Sequence, residues 1–93
     1  MLVGTLQVEV HIPGATSLKE KRKVVRSMIQ KVQHRFNVSI AELDGTDLWQ
    51  RATIGVAMVG GSREYVERQL QYVLNYLEAE PRWNITEVEM DWC

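Results

Sequence analysis

An α+β domain, four antiparallel strands carrying two helices on one face, is what this 93-residue sequence predicts. Three observations lead there. Apolar residues recur at every second position near both ends and in the middle of the chain, which is the period of a half-buried strand. Between those runs lie two stretches with apolar residues three and four apart, the period of a helix resting on a core. At this length about 60 to 65% of the unfolded surface can be buried, enough for one core and so for one domain over residues 1–93.

In the first strand Leu2, Leu6, Val8, Val10 and Ile12 fall on one parity with Gly4, while Thr5, Gln7, Glu9 and His11 fall on the other. Pro13 and Gly14 end it. Ser17 stands three residues before Glu20, a capping-box spacing at which each side chain can reach the other's backbone N–H. The first helix follows, with Leu18, Val25, Met28, Ile29, Val32 and Phe36 within about 100° of arc. Asn37 to Leu43 reads as a short second strand, closed by the turn pair Asp44-Gly45. The third strand, Trp49 to Val59, turns Ala52, Ile54, Val56 and Met58 to one face. Gly60-Gly61 closes it. Ser62 is the expected N-cap of the second helix, whose stripe is Val66, Leu70, Val73, Leu74 and Leu77, and Pro81 forbids its continuation. In the last strand, Asn84 to Trp92, strict alternation puts Thr86, Val88, Met90 and Trp92 inward and Ile85, Glu87, Glu89 and Asp91 outward. The order βαββαβ is the ferredoxin-like, split βαβ arrangement.

The chain carries 12 acidic and 11 basic residues, a formal net charge of -1, which excludes a globally polycationic, DNA-coating protein. Its single cysteine, Cys93, allows no intrachain disulfide and supplies no zinc-ligand spacing. The alternating N-terminus is unlike a signal peptide, and no apolar run approaches the ~20 residues of a membrane span. The expected setting is the cytoplasm, with no membrane contact, cofactor or metal.

Ferredoxin-like domains serve unrelated functions, so function has to come from particular residues. Base stacking on the sheet, the RNA-recognition mode of this shape, needs aromatics on the central strands, where this chain has Thr, Gln, Glu, Gly and Ala. His11 and His34 lie on different elements and make no catalytic triad, so no catalytic residue is assigned. Glu9, Glu87 and Glu89 read as a solvated face. The first helix is different. Between Ser17 and Arg35 lie seven of the eleven basic residues against one acidic residue, Glu20, a local charge of about +6. Lys19, Arg22, Lys23 and Arg26 share one flank of it, a natural partner for a phosphate backbone. At its start Thr16, Ser17, Lys19 and Lys21 could hold a small anion against free N–H groups and the positive dipole end. On the second helix Tyr65, Gln69, Tyr72 and Tyr76 align as a half-buried packing strip or a protein interface. Trp49, Gln50 and Arg51, at the entry to the third strand, read either as a packing anchor or as an exposed stacking patch. The two edge strands leave open N–H and C=O groups through which a homodimer could pair.

Three stretches together resemble the YlxP-like family of small bacterial proteins. They are His11-Ile12-Pro13-Gly14 running into Ser17-Leu18-Lys19-Glu20-Lys21-Arg22, then Phe36 to Glu42, then Asp47-Leu48-Trp49-Gln50-Arg51-Ala52. The resemblance implies a ferredoxin-like fold of this size and a bacterial cytosolic setting, with no established activity. Genes of that family often stand beside those for translation initiation and ribosome-binding factors, which implies association with RNA or the ribosome. The leading expectation is therefore a non-enzymatic accessory factor that binds RNA or the ribosome through the first helix. The runner-up is a regulator or enzyme that binds a small anion at that helix's N-terminus, and the third is a homodimeric protein-interaction module.

Overall fold

The computed structural model describes residues 1–43 and 48–93, so the expected Asp44-Gly45 turn lies outside the described residues. The chain runs β1 (Leu2–His11), α1 (Leu18–Arg35), β2 (Ser39–Glu42), β3 (Arg51–Gly60), α2 (Arg63–Glu78) and β4 (Asn84–Trp92). The strands form one antiparallel sheet in the order β2-β3-β1-β4, with β1 and β3 paired along their whole length from Leu2↔Gly60 to His11↔Arg51. This is the ferredoxin-like α+β arrangement that the alternating and helical patterns predict.

Each element follows its local signals. The Ser17 Oγ accepts from the Glu20 N–H at 3.2 Å and the Ser62 Oγ from the Tyr65 N–H at 3.1 Å, so both helices start at a serine cap. The core lies between sheet and helices. It is built from Leu6, Val8 and Val10 of β1, Ile54 and Val56 of β3, Val25, Met28 and Val32 of α1, and Val66, Leu70, Val73 and Leu77 of α2. Trp83, which periodicity left unassigned, closes one end of it, and its indole N–H donates to the Leu77 carbonyl at 2.8 Å. That bond satisfies the one polar atom its burial would otherwise strand.

The last strand departs from strict alternation. Glu9 faces Glu87 but Val10 faces Ile85, so Thr86 is an extra residue in β4. The bulge turns Ile85 onto the core and leaves Thr86 exposed, its hydroxyl donating to the Glu9 carbonyl at 3.3 Å. Beyond a bulge the faces exchange, which a period-two count cannot register.

Helix α2 lies close on β1 at Gly4. A Cβ there would stand 2.6 Å from Val66 Cγ1 and 3.0 Å from Leu70 Cδ1. Even one methyl group forces Val66 and Leu70, or the helix that carries them, to shift. Gly4→Ala should cost about 1–3 kcal/mol, seen as a lower urea midpoint with an unchanged slope. An unchanged midpoint would mean that the helix shifts freely at this contact.

Candidate nucleic-acid interface

The start of α1 places every side chain considered for anion binding. Ser17 has extended backbone angles, φ -159° and ψ 164°, and caps the Glu20 N–H. The Glu20 carboxylate in turn accepts from the Thr16 N–H at 2.8 Å, one residue before the position the capping box would give it. That backbone bond, with Lys23 nearby, holds the Glu20 carboxyl below its usual value. The helix therefore brings its own anion to its N-terminus.

Lys21 points the other way. It is buried, with Nζ donating to the Leu48 carbonyl at 3.1 Å and standing 3.4 Å from Glu42 Oε2. Of Thr16, Ser17, Lys19 and Lys21, the Thr16 N–H and the Ser17 hydroxyl are engaged within the chain and Lys21 is turned inside. Thr16 and Lys19 are exposed, but with Lys21 turned inside and Glu20 bound to the Thr16 N–H the four residues do not converge on one small-anion site. A signal for Lys21 did exist. It lies four residues before Val25 and seven before Met28, on the apolar stripe, and Glu42 shares the parity of buried Ile40 in β2.

On the outer face of α1, Lys19, Arg22, Lys23 and Arg26 are all exposed. Together with Ser27 and Gln30 they line a shallow depression of about 700 Å³ with no carboxylate among the described residues of its wall. Among the described residues none of the four cations forms an ion pair with a carboxylate. Lys19 with Lys23 and Arg22 with Arg26 are four residues apart, so like charges adjoin on the helix surface, each pair destabilising by about 0.2–0.5 kcal/mol. A bound polyanion would relieve that repulsion.

The cationic surface continues toward the C-terminal end of α1. Through Ser27 and Gln30 it joins a depression of about 530 Å³ that also contains Lys31, His34, Arg35 and Tyr76. At the other end Lys23 adjoins a hollow of about 450 Å³ lined mainly by apolar residues, Ile12, Pro13, Val24 and Pro81 among them, with Glu20 and Arg82 in its wall. Arg82 is anchored there, with Nε 2.9 Å from Glu80 Oε2 and a terminal nitrogen donating to Ser27 Oγ at 3.3 Å. Hydrogen bonding to Arg82 holds the Glu80 carboxyl below its usual value and raises that of the guanidinium.

The tyrosine strip divides. Tyr76 is half-buried, edge-on to Phe36 with ring centroids 5.8 Å apart and with the Arg35 guanidinium 4.9 Å from its ring centre. It is packing for the end of α1 and not a free interface residue. Tyr65 and Tyr72 are exposed, and Gln69 is half-buried. At the entry to β3 the Gln50 side chain donates to the Ala15 carbonyl at 3.3 Å, and the Gln50 backbone carbonyl accepts from the Ile12 N–H at 2.8 Å. Gln50 thus braces the β1–α1 connection through its side-chain N–H. Trp49 is 52% exposed, with Leu48 beside it in sequence at 58%, and Arg51 is exposed opposite His11.

The open sheet face carries Thr5, Gln7 and Glu9 on β1 against Ala57, Gly55 and Thr53 on β3, with Asp91, Glu89 and Glu87 of β4 alongside. It has no stacking aromatics on its central strands and is acidic along one side, so phosphate is repelled there. Among the described residues no three His, Cys, Asp or Glu side chains form a group that could hold a metal ion. Nor is any described helix long and apolar enough to cross a membrane.

Residues 3–90 match the model of the family described as Protein of unknown function (DUF503). The chain belongs to this family. The DUF503 match runs from β1 into β4 and contains every site residue considered above. The chain is also 40% identical over 91 residues to "Uncharacterized protein YlxP" of Bacillus subtilis (strain 168), an alignment covering 98% of this chain and 99% of that protein. The YlxP-like resemblance is thereby confirmed, and neither description carries an activity.

Proposed function

We propose that this DUF503 protein is a non-enzymatic cytoplasmic accessory factor that binds RNA, ribosomal RNA included, through the outer face of α1. One observation carries the reading: Lys19, Arg22, Lys23 and Arg26 share a depression with no carboxylate among the described residues of its wall. Phosphate contacts need only positive charge at reachable positions, and the resulting binding depends little on sequence. The acidic sheet face favours the same conclusion, because it directs a polyanion to the helices.

Four contacted phosphates should give a slope of log affinity against log salt of about -3 on single-stranded RNA, since each contributes roughly 0.7. The measurement is binding of a labelled single-stranded RNA over a salt series, with co-purification of ribosomal particles at low and high salt beside it. A slope near zero, or no binding at low salt, would overturn the proposal.

A further inference from the structure

Independently of the α1 surface, we propose that the outer edge of β4 takes up an extended basic segment of a partner protein as a fifth strand of the sheet. β4 ends the strand order, so among the described residues its far side faces no other strand. The direction of its peptide groups can be read from its end. The Cys93 N–H donates to the Val3 carbonyl at 2.9 Å and so turns toward β1, whereas the Trp92 N–H turns away and is taken by the side chain of Asp91 at 2.8 Å. Peptide groups alternate along an antiparallel strand, and the pairing Leu6↔Met90, Gln7↔Glu89, Val8↔Val88 is regular here. Met90 and Val88 therefore direct both N–H and C=O outward.

The two faces of this edge differ. On the helix side Val88 is 48% exposed although its neighbour Val8 is fully buried, because α2 packs chiefly over β1 and β3. That leaves a shelf for one more apolar side chain. On the open side Glu87, Glu89 and Asp91 are exposed at alternate positions. An incoming strand would bond to Val88 and Met90, lay an aliphatic side chain against Val88, and set Lys or Arg opposite the carboxylates.

A second copy of this chain does not fit. Antiparallel self-pairing centred on Val88 puts Glu87 opposite Glu89, and centred on Met90 it puts Glu89 opposite Asp91. Either register aligns like charges. The edge thus refuses itself and selects a basic partner, and this argues against a homodimer formed through β4.

The test is a titration of the isotope-labelled protein with the heptapeptide Lys-Val-Lys-Val-Lys-Val-Lys, blocked at both ends, at low ionic strength, followed by amide shifts and hydrogen exchange. The expected result is binding that slows exchange of the Val88 and Met90 N–H groups and is absent for the matching Glu-Val peptide. The Glu87→Lys, Glu89→Lys, Asp91→Lys variant should lose at least tenfold in affinity. Val88→Pro should weaken binding about tenfold with the charges intact, since proline is tolerated where an edge N–H faces solvent. Reversing the α1 cations should leave the peptide bound. No binding at low ionic strength, binding without exchange protection at Val88 and Met90, or equal binding by the charge-reversed edge would each overturn the proposal.

Discussion

Changing Lys19, Arg22, Lys23 and Arg26 together to Glu should lower RNA affinity on the order of a thousandfold at 0.1 M salt, because four phosphate contacts each contribute about 0.7 to the logarithmic salt slope. The residual slope should fall toward zero. Folding should survive. All four side chains are exposed, and none is ion-paired to a described carboxylate. Surface substitutions of this kind usually change stability by no more than about 0.5 kcal/mol each. The replacements exchange two like-charge pairs of cations for two like-charge pairs of carboxylates at the same spacing, so the repulsion along the helix is little changed. The checks are fluorescence anisotropy with a short RNA and urea unfolding of the same variant. Undiminished affinity in a folded variant would remove α1 as the interface. Single substitutions should each reduce the slope by about one, which separates a distributed phosphate contact from one dominant residue.

The architecture was legible because its signals are local. Alternation in β1, serines at both helix starts and Pro81 after α2 act within a few residues of where they stand, and none depends on a distant partner. What escaped depends on partners far along the chain. The bulge at Thr86 arises where β4 meets β1, and no property of Ile85 or Thr86 alone distinguishes a bulged strand from a regular one. The cationic strip was legible in the same way as the helix, since residues on one flank of a helix keep that flank whatever the helix packs on. Lys21 was misplaced for the opposite reason: a basic residue next to other basic residues reads as surface until the carboxylate opposite it is known.

That misplacement sets up the largest expected effect on stability. Lys21→Ala should destabilise the fold by about 3–5 kcal/mol, the cost of removing one partner from a buried ion pair. For a domain whose total stability is about 5–15 kcal/mol this is a large share. Lys21 is 1% exposed, and its ammonium joins α1 to Glu42 in β2 and to the Leu48 carbonyl at the entry to β3. Its loss leaves these described partners without the ammonium that joins them. Glu42 keeps 26% of its side chain exposed and can recover some hydration, which places the effect toward the lower end of that range. The pair Lys21→Met with Glu42→Leu should regain most of the loss, because well-packed apolar residues replace a buried pair at little net cost. Urea unfolding of the two single variants and the double variant gives the coupling between them. A Lys21→Ala protein as stable as the parent would show that the ammonium is not needed to hold β2 against α1. The two charge effects on this helix are therefore separable: charge reversal on the outer face should abolish RNA binding in a folded protein, whereas the Lys21→Met, Glu42→Leu double variant should bind RNA with the parent's salt slope.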